Sequence, residues 1–325
     1  MSEFDIVGKS YPQIDGMQKA MGKTKFVTDL VLPGMLYGRT LRSPYPHAII
    51  KNIDTSRAKA LAGVKAVVTY ADTPGIKFGP RSEDWTIFAG EKARFHGDEV
   101  AAVAARDEDT AEEALELIDV EYEALPFVVD PLEAMQAEAP LVHDDKPGNI
   151  AAEFKVEAGD VDQAFKDSDI IYEDRYYLNQ VYQAYMEPMA TLADVDLSGR
   201  ITMWTGTQIP NMMRMTYAKA LGIAPDNIRV IVPDYGGAFG GKMENNIHLV
   251  AAVLAQKAQA PVKLVNTRYD DFIAGNPRVP MYIDIKLGAT KEGLLTGKEV
   301  QVVGAAGARL VYAMVIVATA CYRVS

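Results

Sequence analysis

A chain of 325 residues is long for one domain and comfortable for two, and 49% hydrophobic against 24% charged residues leaves enough apolar side chain for a sizeable core, which excludes wholesale disorder. The formal net charge of −11 speaks against a nucleic-acid footprint and against anionic membrane surfaces, so neither partner is expected. The single cysteine, Cys321, excludes an internal disulfide and a complete iron–sulfur cluster, which needs several thiolates.

Residues 1–22 are punctuated by Gly8, Pro12, Gly16 and Gly22 and read as an extended arm. Strands are expected at 35–41, 48–53, 64–70 and 99–105, with turns at Pro33-Gly34 and 43–46. Ala111, Ala114, Leu115 and Ile118 have helical spacing, with Asp109-Thr110 as the cap and Glu112 and Glu113 in the first turn. A strand returns at 118–122. Because these strands come in runs, the first half reads as α+β. Residues 131–148, with Pro131, Pro140, Pro147 and Gly148, read as a linker that holds a short helix capped by Asp130.

Asp160 caps a further helix that carries Val161, Ala164 and Phe165 on one face. Strands are expected at 170–177, 189–195 and 201–205, then a helix from Pro210 to Leu221 stopped by Gly222. The uncharged run 310–322 reads as a buried element or as a surface that packs on something outside this chain. Met1-Ser2-Glu3-Phe4-Asp5 lacks the basic and apolar regions of a signal peptide, so a cytoplasmic location is expected. His47, His96, His143 and His248 lack ligand spacing and read as surface or core histidines.

The most informative stretch is 228–243. A β-branched run, 228–232, is interrupted by Gly236, Gly237, Gly240 and Gly241, and helical spacing resumes at Ile247, Val250, Ala251, Leu254 and Ala255. A strand, glycine loop and helix let backbone N–H groups approach an anionic group such as a phosphate or a metal-oxo group. Gly236 to Lys242 spells G-x-x-x-x-G-K, but Met243 stands where a phosphate-binding loop needs a Mg²⁺-holding Ser or Thr. A glycine-rich turn that only permits positive φ is the alternative.

Five ordered motifs carry a resemblance. They are Gly22-Lys23-Thr24-Lys25-Phe26-x-x-Asp29, Arg42-Ser43-x-x-Pro46-His47-Ala48, Tyr185-Met186-Glu187-Pro188-Met189, Thr207-Gln208-x-Pro210 and Gly236-Gly237-x-Phe239-Gly240-Gly241-Lys242. Together they resemble the N-terminal half of the molybdenum-binding subunit of the xanthine dehydrogenase/aldehyde oxidase family, over nearly the whole chain. The resemblance implies an α+β fold: a hammerhead-like α/β domain at 23–130, then the first molybdopterin-binding α+β domain at 149–325. It implies a molybdopterin cofactor in its cytosine dinucleotide form with molybdenum held through the pterin. It also implies hydroxylation of a small-molecule carbon with water-derived oxygen, and electrons leaving to 2Fe–2S and FAD partner subunits.

By position, Gln208 would donate its amide to a molybdenum oxo ligand, a role suited to a donor that does not titrate. Its alternative is to cap the helix at Pro210. Gly237, Phe239, Gly240 and Gly241 would lie beside the cofactor, although Phe239 also reads as a core aromatic. Glu187 would be a hydrogen-bond anchor near the site, with Lys242 a structural neighbour.

Two departures matter. Xanthine-oxidising members place a substrate-binding glutamate after the lysine, where this chain has Met243, so an aldehyde, an aromatic or an N-heterocyclic carbon fits as well as a purine. The family's catalytic glutamate, in a downstream G-x-G-E element, is absent. The isolated chain is therefore expected to be inactive until a second molybdopterin-domain chain or a missing C-terminal half supplies it. Two rival readings are a non-catalytic assembly or scaffold subunit and a glycine-loop phosphate binder.

Overall fold

The computed structural model describes residues 4–79, 82–243 and 245–309. Its strands are β1 (Leu36–Arg42), β2 (Ala48–Asp54), β3 (Val64–Thr69), β4 (Lys92–Ala93), β5 (Glu99–Ala105), β6 (Asp119–Ala124), β7 (Ile170–Leu178), β8 (Ala190–Val195), β9 (Ile201–Thr205), β10 (Ile228–Ile231), β11 (Val262–Val265), β12 (Met281–Ala289) and β13 (Leu295–Gly304). The helices are α1 (Gly16–Ala20), α2 (Ser56–Ala60), α3 (Glu108–Glu116), α4 (Pro131–Ala134), α5 (Val161–Lys166), α6 (Pro210–Leu221), α7 (Ile247–Ala258) and α8 (Arg268–Ala274). The fold class is α+β, as the sequence indicates.

One sheet organises the molecule. Its seven strands run in the order β10-β9-β8-β11-β1-β5-β3, so the parallel pairing of β1 with β11 joins the first and second halves of the chain. The apolar run of β5 is buried at every residue because both sheet faces are covered. Ala102 and Ala104 pack in the cluster that holds α7, while Ala101 and Val103 pack with Ala58 of α2 and Ala114 of α3. From Ile247 to Ala255, α7 is buried all round. Gly38 on β1 permits its approach, since a Cβ there would stand 3.3 Å from Leu254 Cδ1 and 3.2 Å from Leu264 Cγ.

Two smaller sheets flank this body, β4-β2-β6 and β13-β12-β7. Two expectations need correction, and one stretch is held more firmly than its composition suggests. The arm is not extended throughout, because α1 forms within it, followed by Met21, whose N–H reaches back to Met17. The cap of α3 is Asp107 rather than Asp109-Thr110: Asp107 has extended backbone and its carboxylate accepts the Thr110 N–H at 2.7 Å, which puts Glu108 and Asp109 in the first turn. Asp130 sits where expected, accepting from Leu132 and Glu133 N–H, but the 131–148 stretch is also tied down, with Asp144 on Lys92 and His143 Nε2 2.7 Å from Ala308 O. The apolar run 310–322 and Cys321 lie outside the described residues.

Candidate functional site

Three segments meet where β8 begins and β9 and β10 end: 183–189 before β8, 205–209 after β9 and the glycine loop after β10. The loop is closed by a clasp. One oxygen of Glu187, Oε2, accepts from the Gly236 N–H at 2.7 Å and from Lys242 Nζ at 2.8 Å, so a single carboxylate ties both ends of the loop. Lys242 is only 1% exposed, and its ammonium also lies 4.7 Å from the Tyr185 ring centre. Gly236 is required here, since a Cβ would stand 2.8 Å from Glu187 Cβ. Arg268 fixes the approach to Glu187 by donating to the carbonyls of Tyr185 and Met186 at 2.8 and 2.9 Å.

Gln208 locks onto the loop from the other side. Its backbone N–H donates to Lys242 O at 3.0 Å, and its side-chain Oε1 accepts the Gly240 N–H at 3.1 Å. That second bond fixes which end of the amide is oxygen and leaves the NH₂ donors turned away from Gly240. Gln208 does not cap α6. The cap position is Ile209, whose N–H is taken by Thr207 Oγ1. Phe239 is not a core aromatic either: it is 70% exposed and held at φ +50°, a left-handed conformation costly for a bulky residue.

The glycine loop departs from the expected set of free N–H groups. Those of Gly236, Gly237, Gly240 and Gly241 go to Glu187, Tyr235 O, Gln208 and Ala238 O. Two of these are local turns within the loop, to Tyr235 and Ala238, and two are acceptors distant in sequence, Glu187 and Gln208, that pack onto it. A phosphate cradle built from those four amides is thereby excluded. Open space lies beside Gly240, where a Cβ would meet nothing within 4 Å, whereas at Gly241 it would stand 2.8 Å from Tyr185 Cε1 and 2.9 Å from Gln183 Oε1.

Beneath the loop, His248 of α7 is fully buried with Nδ1 bonded to the Tyr217 hydroxyl. Burial, reinforced by the Lys242 charge, pushes its pKa down to about 3, so the ring is neutral. Asp271 of α8 accepts from Met189 N–H at 3.3 Å and Asn266 Nδ2 at 3.1 Å, and burial raises its pKa.

Sequence reasoning named Glu187, Gln208, Gly237, Phe239, Gly240, Gly241 and Lys242, and the structure brings all of them together. It missed Arg268, although the capping box of Thr267 and Asp270 around it was readable. It also missed Gln183 and Tyr185 as packing partners of Gly241. Among the described residues, no group of three or more His, Cys, Asp or Glu could hold a metal ion, and no helix is long and apolar enough to cross a membrane.

Comparison with known proteins gives two family matches. Residues 21–126 match the "Aldehyde oxidase and xanthine dehydrogenase, a/b hammerhead domain", and residues 142–325 match the "Molybdopterin cofactor-binding domain". The chain is 41% identical over 295 residues to a probable xanthine dehydrogenase subunit of Bacillus subtilis (strain 168), covering 90% of this chain and 39% of that protein. It is 35% identical over 319 residues to the nicotinate dehydrogenase large molybdopterin subunit of Eubacterium barkeri, covering 98% of this chain and 75% of that one. The crystal structure of quinoline 2-oxidoreductase from Pseudomonas putida 86 superposes with a TM-score of 0.82 at 29% identity, covering 91% of this chain and 39% of that one. The chain thus spans well under half the length of the Bacillus subtilis relative.

Proposed function

Because the chain belongs to the xanthine dehydrogenase/aldehyde oxidase family, with its hammerhead and molybdopterin cofactor-binding domains, we propose that it supplies one face of the cofactor site in a molybdenum hydroxylase. The observation that carries this reading is the Gln208–Gly240 bond, which engages Oε1 of an exposed Gln208 and leaves its neutral amide NH₂ for another acceptor, beside an exposed Phe239 and an open Gly240. The surroundings fit a molybdopterin. The amide donors are neutral, the Glu187 carboxylate is turned into the Lys242 clasp, and Gly240 leaves room for close approach.

When bound, the molybdenum centre supplies the two-electron oxidation that puts water-derived oxygen on a substrate carbon. This chain's residues have separate tasks. Gln208 would donate its amide N–H to an oxo group of the cofactor without exchanging a proton, a type of fixed donor worth most where water is excluded. Phe239 would form an apolar wall at the mouth and Gly240 would let backbone approach the pterin, with Gly241 beside it packed closely on Tyr185 and Gln183. Glu187 and Lys242 hold the loop shut as a mutually neutralised pair.

The rest of the reading is at the same level of proposal. The cofactor is the cytosine dinucleotide form, with 2Fe–2S and FAD subunits as electron partners. The catalytic glutamate comes from the remaining molybdopterin-binding region, so the isolated chain is inactive. The substrate is an aldehyde or an aromatic or N-heterocyclic compound, since Met243 follows Lys242, and the enzyme works in the cytoplasm. The two regions divide at 131–148. Substituting Gln208 by Ala in the assembled, cofactor-loaded enzyme lowers turnover at least tenfold or so while leaving the complex and its molybdenum content intact. Unchanged turnover removes Gln208 from the mechanism.

A further inference from the structure

The sheet β13-β12-β7 is built inside out. Its register puts Tyr172, Tyr176 and Leu178 of β7 opposite Leu287, Ile283 and Met281 of β12, so these side chains share one face with Ile285. Val300 and Val302 of β13 continue that face, paired with Ile285 and Ile283. Asp174 and Lys298 also fall on it, and the Tyr172 hydroxyl donates to the Asp174 carboxylate at 2.8 Å. The opposite face carries charges paired across strands: Arg175 Nη2 meets Asp284 at 2.8 Å, and Lys286 faces Glu173.

Ordinary packing would cover the apolar side. Here the helix that packs on the sheet, α5, lies on the charged side. Phe165 stands 3.2 Å from where a Cβ on Gly288 would be, and Lys286 Nζ lies 4.9 Å from its ring centre. Among the described residues the apolar face is left open: Tyr172, Tyr176 and Leu178 are 45–49% exposed, and Ile283, Ile285 and Leu287 of the central strand are half-buried and outside the core. In addition, β7 is an edge strand whose nine residues are all exposed. A long, uncovered apolar edge strand is a template for pairing unless something covers it.

We propose that this face and the β7 edge are the docking surface for the rest of the hydroxylase large subunit, the portion of the relatives' length that this chain does not match. Two observations select that occupant. The match covers only 39% of the Bacillus subtilis relative and 39% of the quinoline 2-oxidoreductase chain, so the larger part of each lies outside it, and it stops short of the whole Eubacterium barkeri subunit too, at 75%. The face also belongs to the molybdopterin-binding region, with all three strands inside 142–325, and not to the hammerhead. The occupant lays an apolar surface on β7 and β12 and offers a strand to the free edge, while the charged side stays with α5 and Tyr282, whose hydroxyl donates to Asp130 at 2.7 Å.

This rests on the reading that the chain is one portion of a hydroxylase, so the experiment reads the two separately. The full chain, tagged and carrying a photoreactive benzoylphenylalanine in place of Tyr176, is illuminated in the native complex; the crosslinked peptide is sequenced and the molybdenum content of the same sample measured. The expected crosslink is to a polypeptide of the molybdopterin cofactor-binding kind beyond residue 325 or in another chain. Ile285→Lys is expected to reduce recovery of that polypeptide at least tenfold, with the thermal midpoint of the chain itself unchanged. Crosslinks to a second copy of this chain, to residues 310–325, or to nothing overturn the docking surface. So does undiminished recovery with Ile285→Lys. A correct crosslink without molybdenum keeps the surface and overturns the cofactor reading; molybdenum without the crosslink does the reverse.

Discussion

The seven-stranded sheet and the three-stranded sheet solve the same problem in opposite ways. In the larger one, β5 has apolar residues pointing both ways, and each side is met by helices, so all seven residues are buried. In the smaller one, period-2 alternation separates an apolar from a charged face, and the helix available to cover it packs on the charged one. The difference teaches where stability and recognition reside. Burial on both faces makes the larger sheet the rigid frame on which α7 and the glycine loop hang, and the smaller sheet keeps its apolar area for association.

Four predictions sharpen or break that contrast, in falling order of effect. Lys242→Ala leaves the Glu187 carboxylate buried without its cation and is expected to cost roughly 3–5 kcal/mol, measured as a fall in the urea midpoint; a loss near zero would show that the clasp does not hold the loop. Leu254→Ala, in a helix buried all round, is expected to cost roughly 2–5 kcal/mol in the same assay.

Third is a pH dependence centred on Glu99 of β5. Burial alone would raise its pKa, but Arg309 and Arg42 hold it down at about 2 against an ordinary 4.5. A folded pKa below the unfolded one means that this stabilisation is present above pH 4.5 and is lost as pH falls from there towards 2. Asp98 beside it works with the opposite sign, because burial raises its pKa, and its effect lies above the ordinary aspartate value of 3.8. Stability should therefore fall with acid below that value, and Glu99→Gln should flatten the fall. An unaltered slope in the variant would mean that other carboxylates set it. The smallest effect is Ile285→Ala in the free chain, expected to cost less than about 1 kcal/mol, as for a partly exposed site. A cost matching that of Leu254→Ala would mean that the small sheet is covered after all, and would undo the comparison.

Much of this was legible in the sequence, for identifiable reasons. The helix Pro210–Leu221 is bounded as expected because Pro210 opens it and Gly222, at φ +67°, closes it. Glu99–Ala105 reads as a strand because its apolar run is short and flanked by charge. The cap of α3 was misplaced because Asp107 and Asp109 both suit the position and only backbone conformation separates them. The role of the glycine loop was legible in residue identity but not in hydrogen bonding. The acceptors that use its amides, Glu187 and Gln208, lie 49 and 32 residues away from their donors, and no local pattern encodes such pairings. The inverted small sheet was illegible for a similar reason. Alternation within 170–178 announces a strand, but which face a helix covers is decided by where α5 docks.

The central claim is that the clasped loop and Gln208 receive a molybdenum cofactor, and the most direct measurement is the molybdenum and pterin content of the purified native complex, with Gly241→Val alongside. A valine there would push into Tyr185 and Gln183 and displace the loop from its place beside Gln208. Close to one molybdenum per chain is expected in the unaltered complex, and a several-fold loss in the variant with the subunits still associated. A complex that holds no molybdenum, or a variant that holds as much as the unaltered chain, would contradict the claim.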